Sequence, residues 1–128
     1  MSPSYQDLLA AAREVIPEVE PAGIAPRVEA GDGPLIIDVR ETAEWDQGHL
    51  PGAIHIPRGF LESRVGGATT GTDQELLISC ASGQRSLLAA KTLADMGFTN
   101  VTNLAGGFAR WKQNNYPVEV PRILTPAQ

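Results

Sequence analysis

One short segment of the chain has the residue types and the spacing for sulfur chemistry. Cys80 is the only cysteine among the 128 residues, and it opens the run Cys-Ala-Ser-Gly-Gln-Arg-Ser that ends at Ser86. The run follows an apolar, strand-like stretch at 76–79 and leads into a helical stretch at 87–96. This pattern predicts a thiol at a strand-to-helix turn, facing the N-terminus of a helix.

A thiol in that position is placed to act as a nucleophile. The first N–H groups of a helix lack intrahelical acceptors and the helix dipole adds partial positive charge, so a thiolate is stabilised there. Gly83 allows a tight turn and the close approach of a ligand. Arg85 adds a permanent charge and a planar fork of donors suited to an oxyanion. We expect Cys80 to be the catalytic nucleophile and the rest of its loop to bind substrate: Ala81, Ser82, Gly83, Gln84, Arg85 and Ser86.

A lone cysteine at the end of a core strand is often no more than a small buried hydrophobe. Such a structural cysteine gains nothing from a cationic, amide-lined loop, whereas a sulfur or oxyanion site needs one. Four residues separate Cys80 from Arg85, and cysteine-based phosphatases use a longer loop to wrap a phosphate. The short loop favours the outer sulfur of a persulfide over a tetrahedral phosphate.

The composition fits a single globular domain that binds neither nucleic acid nor membrane. The net charge is −5 and 42% of the residues are apolar, in a chain long enough for a real core. There is no basic stretch, no apolar run near the roughly 18 residues of a membrane span, and no visible secretory signal. One cysteine excludes an intrachain disulfide and a multi-cysteine metal site, and we expect no metal or cofactor. A free reactive thiol fits a reducing compartment, so we expect a cytoplasmic protein.

The elements that position the loop alternate along the chain. Helical spacing predicts a first helix that is capped by Ser4 and stopped by Pro17. Further patterns predict strands at 35–39, 53–56, 76–79 and 101–104, a short edge strand near 18–20, and helices at 21–31, 41–47, 60–65, 87–96 and 108–113. The composition of 66–73 predicts a flexible loop.

This alternation predicts an α/β fold with a central, mostly parallel sheet and helices on both faces. Ligands of such sheets bind beyond the carboxyl ends of the strands. Arg40 and Cys80 both lie at those ends, so we expect one site there.

Three separated segments carry motifs of a known family. The first reads Leu-Ile-Ile-Asp-Val-Arg-Glu at 35–41 and continues to Gly-His-Leu-Pro-Gly-Ala-Ile-His-Ile-Pro at 48–57; the second is the Cys80 loop; the third is Leu-Ala-Gly-Gly-Phe-Ala-Arg-Trp at 104–111. In order and spacing they resemble the single-domain type of the rhodanese (sulfurtransferase) family. The resemblance implies a rhodanese-like domain at 18–118, with an N-terminal helical extension at 1–17 and a C-terminal tail at 119–128.

The resemblance also implies a reaction. The Cys80 thiolate takes the outer sulfur of a small anionic donor such as thiosulfate and carries it as a persulfide. A thiophilic acceptor then removes that sulfur; the acceptor is cyanide in an assay and a cellular thiol, on a small molecule or a protein, in the cell. This mechanism needs no histidine base, because the thiolate is already formed.

Asp38 and Arg40 lie in the first motif, near the end of its strand, and are expected to support the site. An unpaired carboxylate at the end of a core strand is costly, so Asp38 is expected to pair with Arg40 or another cation, or to cap a turn. Arg40 is expected to orient loops or to add positive field. His49 is expected to be a hydrogen-bonded structural group, and Arg58 and Arg64 to lie on the surface or at the rim of the site.

Two other functions stay open. One is a small phosphatase or arsenate reductase on the same fold, which the short loop disfavours. The other is a rhodanese-like module that only binds or regulates partners. The presence of Cys80 argues against such a module, although the N-terminal helix and the Pro-containing tail can serve as docking elements.

Overall fold

Five short segments of the chain form the strands of one sheet. The structure is a computed structural model that describes residues 2–121. All strand pairings are parallel, in the order β1-β5-β4-β2-β3. This confirms the predicted α/β class and parallel sheet, and it makes β4, which precedes Cys80, the central strand. The strands are β1 (Glu18–Val19), β2 (Leu35–Asp38), β3 (Ile54–His55), β4 (Leu76–Ser79) and β5 (Val101–Leu104).

Helices cover both faces of this sheet, as the sequence predicted. The α-helices within residues 2–121 are α1 (Tyr5–Val15), α2 (Pro21–Ala30), α3 (Thr42–Asp46), α4 (Leu61–Ala68), α5 (Gln84–Asp95) and α6 (Gly107–Gln113). A 3-10 turn, Arg58–Phe60, leads into α4. Buried side chains of α1, α4 and α5 form one core cluster with the sheet, and those of α2 and α6 form a second cluster on the other face.

The strands are apolar at successive positions because both sheet faces are covered. Ile37 and Ile78 belong to the cluster under α1, α4 and α5, while their neighbours Ile36 and Leu77 belong to the cluster under α2 and α6. Successive strand residues point to opposite faces, so a strand buried on both faces reads as a continuous apolar run. Burial of β4 on both faces fixes the position of Cys80, which is the next residue.

The first helix is part of the core. Ser4 caps α1 as predicted: its hydroxyl accepts the Asp7 N–H at 3.1 Å, and the Asp7 carboxylate accepts the Ser4 N–H at 2.9 Å. Leu9 and Ala12 are fully buried in the cluster that α1 shares with α5. The segment 1–17, expected to be an extension, therefore contributes to the packing behind the helix that carries Arg85.

Two predicted boundaries were wrong. The segment from Gly66 to Ala68 was expected to be a flexible loop, but α4 continues through Ala68. Val65, which is fully buried, anchors this turn, and its carbonyl accepts the Thr69 hydroxyl at 3.0 Å, so packing and a hydrogen bond outweigh the low helix propensity of glycine. Helix α5 was expected to begin at residue 87, but it begins at Gln84 directly after Gly83.

The expected C-terminal tail begins at a backbone pairing. Glu119 and His49 exchange two N–H···O bonds of 2.9 Å each, one in each direction. Residues 122–128 of that tail lie outside the described part of the chain. The division at 17/18 and 118/119 stays a prediction.

The described residues also bear on membrane and metal binding. Between residues 2 and 121, every helix is too short or too polar to cross a bilayer. Within the same range, no three His, Cys, Asp or Glu side chains gather as a metal site would require.

The packing of α1 predicts unequal effects of two neighbouring leucines. Leu9→Ala should lower the free energy of unfolding by about 2–5 kcal/mol, because it leaves a cavity in the shared core. Leu8, on the same helix, is 51% exposed, and Leu8→Ala should change that free energy by no more than about 0.5 kcal/mol. Urea unfolding of both variants measures the difference. Equal losses would mean that α1 does not pack as described.

Candidate active site

The candidate site lies beyond the carboxyl end of the central strand. Cys80 directly follows β4 and is fully buried. Strands β2 and β5 flank β4, and the Val39 N–H donates to the Ser79 carbonyl at 3.0 Å. The segments after β2, β4 and β5 therefore start side by side. This adjacency brings Arg40 and the Gly106–Gly107 turn to the same edge of the sheet as the Cys80 loop.

Three hydrogen-bond donors surround the Cys80 sulfur. The Gly83 N–H lies 3.1 Å from Sγ, the Ser86 N–H 3.3 Å and the Ser86 hydroxyl 3.2 Å. Gly83 has φ +96°, a left-handed conformation that turns the backbone into α5. Hydrogen bonds to a charged acceptor are stronger than those to a neutral one, so this arrangement suits an anionic sulfur. The loop can therefore hold negative charge at Sγ without a metal ion.

Helix α6 fixes the outer side of the loop. The Phe108 N–H donates to the Cys80 carbonyl at 2.8 Å, and the Ala109 N–H donates to the Ala81 carbonyl at 3.0 Å. Because a trans peptide places C=O and N–H on opposite sides, the amides that follow these carbonyls point away from α6. Gly107 makes this contact possible: a Cβ there would lie 2.5 Å from the Cys80 carbonyl oxygen.

Asn103 holds the other side of the loop. This fully buried side chain donates from Nδ2 to the Gly83 carbonyl at 2.9 Å and to a Glu18 carboxylate oxygen at 2.8 Å. Sequence reasoning missed both residues. A buried amide in an otherwise apolar strand, Val-Thr-Asn-Leu, was the available signal, because such a group requires hydrogen-bond partners. Asn103 joins β5 and the start of β1 to the loop.

Arg85 is bound to a carboxylate. Its two terminal nitrogens donate to the two carboxylate oxygens of Glu44 at 2.9 and 2.8 Å. The hydrogen bond from Arg85 is the main reason that the pKa of Glu44 falls to about 2, and the same pair raises the pKa of Arg85. Glu44 also accepts the Glu41 N–H at 3.2 Å in the capping box of α3. Sequence analysis did not select Glu44, since an acidic residue in a first helical turn is common.

The remaining loop residues lie at the surface. Ser82 and Gln84 are exposed, and Ala81 is half-buried. The Gln84 side-chain oxygen accepts the Tyr5 hydroxyl at 3.2 Å, which connects α1 to the loop. Of the seven residues predicted for the site, Cys80, Gly83 and Ser86 therefore form its floor, and Arg85 is turned toward α3.

Asp38 and Arg40 form the predicted ion pair. Arg40 Nε lies 3.0 Å from both Asp38 oxygens, and Nη2 lies 2.7 Å from Oδ2. Nη2 also donates to the Gly48 carbonyl at 2.7 Å, and the guanidinium lies 4.5 Å from the centre of the Phe108 ring. Both residues are buried. The charge of Arg40 is therefore compensated within the fold, and its contacts tie the loop after β2 to α6.

The histidines are engaged with the backbone. His49 Nδ1 lies 2.9 Å from the Leu50 carbonyl oxygen, as expected for a structural group, and His55 Nε2 lies 2.7 Å from the Arg40 carbonyl oxygen. Both rings stack on Trp45, with centroid separations of 3.5 and 4.9 Å. These contacts brace the segment that holds the Asp38–Arg40 pair.

Arg58 and Arg64, the two other arginines considered for the rim, are engaged near α4. Arg58 donates to Glu62 at 2.8 Å and to Thr92 at 3.2 Å. Arg64 lies over the Phe60 ring at 4.0 Å.

A cleft of about 230 Å³ adjoins the Cys80 loop. It lies between α3 and α6, and its lining includes Glu44, Ala81, Phe108 and Lys112. A larger cleft of about 320 Å³ lies near the opposite edge of the sheet, where the chain enters β2 and β3, and no charged side chain lines it. The smaller cleft is the candidate substrate site, because it adjoins the Cys80 loop through Ala81.

Comparison with known proteins agrees with this geometry. The family model described as Rhodanese-like domain matches residues 26–114. The chain is 36% identical over 75% of its length to "Putative sulfur carrier protein YrkF" of Bacillus subtilis, of which it spans only 51%. It is 29% identical over 84% of its length to "Sulfurtransferase" of Allochromatium vinosum, of which it spans 98%.

Two solved structures resemble the fold. One is the protein of unknown function RPA3614 from Rhodopseudomonas palustris, described as a "Possible Tyrosine Phosphatase", with a TM-score of 0.84 and 29% identity; the match covers 93% of this chain and 96% of that one. The other is the rhodanese-like domain of Anabaena Alr3790, with a TM-score of 0.74 and 27% identity; the match covers 88% of this chain and 87% of that one.

The contact of Gly107 with the loop yields a test. Gly107→Ala forces a side chain into φ +60° and against the Cys80 carbonyl, so the loop must move away from α6. Stability should fall by about 1–3 kcal/mol, and the Gly83 and Ser86 amides should exchange hydrogen faster. Gly97→Ala is the matched control, because Gly97 has φ +96° but nothing within 4 Å of its Cβ position. Urea unfolding measures the stability of both variants, and hydrogen exchange measures the protection of their loop amides. Unchanged exchange in Gly107→Ala would mean that the contact with α6 does not hold the loop.

Proposed function

Because the chain belongs to the rhodanese-like domain family, we propose that it transfers a sulfane sulfur from a donor such as thiosulfate to a thiophilic acceptor through a persulfide on Cys80. The observation that carries this proposal is the ring of donors around Sγ, formed by the Gly83 N–H, the Ser86 N–H and the Ser86 hydroxyl. The names of related proteins, a sulfurtransferase and a sulfur carrier, support the same class of reaction.

The reaction is a double displacement. The Cys80 thiolate attacks the outer sulfur of thiosulfate, the bond between the two donor sulfurs breaks, and sulfite leaves with the electron pair. Cys80 then carries a persulfide. An acceptor thiolate or cyanide attacks its outer sulfur, the Sγ–S bond breaks, and the Cys80 thiolate is regenerated while a new persulfide or thiocyanate departs. Both steps balance without an external oxidant or reductant.

The loop contributes fixed dipoles to this sequence. In the first step negative charge passes from Sγ to the departing sulfite, and in the second step it returns to Sγ. Preorganised N–H groups stabilise the charge at Sγ without having to reorient during the reaction. The Ser86 hydroxyl supplies a third donor, whereas the charge of Arg85 is shared with Glu44. Asp38 and Arg40 act at a distance, since their mutual bonds hold the loop after β2 in place.

Burial of the sulfur restricts the acceptor. Cys80 has no exposed surface, so the attacking atom must come on a slender group that enters the loop. A small thiol, or a protein thiol on an extended segment, meets this condition.

A free thiol nucleophile works in a reducing compartment, and we assign the protein to the cytoplasm.

The persulfide is the direct test of this function. Treatment with thiosulfate should add one sulfur atom, about 32 Da, to the intact protein, because the outer sulfur stays on the nucleophile. Cyanide should then remove it. Intact-protein mass spectrometry follows both events. Cys80→Ser, which keeps the size of the side chain, should show neither event, and near-normal turnover by that variant would disprove the mechanism. A well-folded wild type that takes no sulfur from any donor would favour the binding module.

The phosphatase alternative rests on the description of RPA3614 and has its own test. Four residues separate Cys80 from Arg85, and the Arg85 guanidinium faces Glu44. We therefore expect an aryl phosphate to be hydrolysed no faster by the wild type than by Cys80→Ser, as measured by release of the phenol. Efficient hydrolysis that requires Cys80 would favour a phosphatase instead.

A further inference from the structure

We propose that Glu44 sets the choice of sulfur donor: it neutralises Arg85, and so the site discriminates against dianionic donors and favours the persulfide of a thiol. This inference rests on the proposed sulfur transfer and names the class of donor for it. It concerns a residue that the sequence analysis did not select for the site.

The first observation is that Arg85, the cation of the loop, is already paired with a carboxylate. Both terminal nitrogens of Arg85 donate to Glu44 in a bidentate pair. The Glu44 carboxylate is ionised at neutral pH, and the hydrogen bond from Arg85 lowers its pKa further, to about 2. The pair therefore has no net charge toward an arriving donor.

The second observation concerns the other charges around the loop. Arg40 is bound to Asp38 and adds no net charge. Glu41, at the start of α3, adds a further carboxylate that raises the pKa of Arg85. Lys112, on the far side of the cleft, lies over the Phe108 ring at 4.9 Å. The charges of these groups cancel, and the whole chain has a net charge of −5.

These charges separate two classes of donor. Thiosulfate carries two negative charges on a compact ion, so it must draw Arg85 away from Glu44 or enter without a cation. The persulfide group of a donor R–S–SH brings at most one negative charge, at the sulfur that the loop amides receive. Its transfer balances: the Cys80 thiolate bonds to the outer sulfur with its proton, the donor S–S bond breaks, and R–S⁻ leaves with the electron pair.

The partial exposure of the pair sets the size of the effect. The Arg85 and Glu44 side chains are 43% and 35% exposed, so water and a donor anion can compete for the guanidinium. Removing the Glu44 charge should free one charge-assisted interaction for thiosulfate, an effect on the order of tenfold in kcat/KM. The same change offers little to a persulfide whose charge is held by the backbone.

The test compares two donors in two matched variants. Glu44→Gln keeps an oxygen for the Glu41 N–H and removes the charge. Glu75→Gln is the control, because Glu75 forms an equivalent bidentate pair with Arg27 at 2.8 and 2.6 Å, before the start of β4 and away from the loop. We expect Glu44→Gln to raise kcat/KM for thiosulfate about tenfold and that for cysteine persulfide by less than about twofold. Glu75→Gln should change neither value.

Two further readouts exclude a merely structural role for Glu44. The thiosulfate rate of Glu44→Gln should fall with rising salt more steeply than that of the wild type, since the freed attraction is screened. Adding Arg85→Ala to Glu44→Gln should abolish the gain, because the freed cation is then missing. Glu44→Ala should act in the same direction if the glutamine variant folds poorly.

The outcomes separate the two proposals. If wild-type Cys80 takes sulfur from both donors and Glu44→Gln leaves their ratio of kcat/KM unchanged, the assignment of Glu44 is overturned while the sulfur transfer stands. An equal gain for both donors, or a gain that survives Arg85→Ala, also overturns it. If neither donor places sulfur on wild-type Cys80, the proposed function itself falls, and the assignment of Glu44 falls with it.

Discussion

The site depends on the closure of one loop between α6 and β5. The carbonyls of Cys80 and Ala81 are bound to the first N–H groups of α6, and the Gly83 carbonyl is bound to the side chain of Asn103. These bonds hold the loop in the conformation in which the Gly83 and Ser86 N–H groups face Sγ. The burial of β4 on both faces supports this closure, because it fixes where the loop begins. Gly107 supports it as well, because a residue without a side chain lets α6 approach the loop.

In the proposed reaction the negative charge of the sulfur is held by dipoles, because the three donors at Sγ are N–H and O–H groups without net charge. The two arginines at this edge of the sheet, Arg40 and Arg85, are both paired with carboxylates. Fixed N–H groups hold one charge at one position, whereas an unpaired guanidinium attracts any anion that reaches it. Under the proposed role of Glu44, the choice of donor therefore depends on the geometry of the loop and on the charge of the donor.

Much of this arrangement was predictable, because it depends on local patterns. The apolar runs of β2 and β4, the cap at Ser4 and the pairing of Asp38 with Arg40 each follow from burial or from the cost of an unpaired charge, and all were found as predicted. The apolar stretch before Cys80 and the helical stretch after Ser86 predicted a strand-to-helix turn, which the structure contains.

What the sequence did not reveal depends on contacts between distant segments. Glu44 lies 41 residues from Arg85, and Asn103 lies 20 residues from Gly83. No local pattern distinguishes this glutamate from a solvated one, and the partner of Asn103 is a backbone carbonyl, which any sequence supplies. The length of α4 escaped prediction for a similar reason, since the packing of Val65 against the core outweighs its two glycines.

The most direct measurement of the central claim is a crystal structure of the protein after exposure to a sulfane-sulfur donor. The account predicts one additional sulfur atom bonded to Cys80 Sγ, inside the loop and within hydrogen-bond distance of its amides, with the bonds from Phe108 and Ala109 to the loop unchanged. An unmodified Sγ after full exposure to the donor would contradict it. So would an added sulfur that points out of the loop, away from the Gly83 and Ser86 N–H groups.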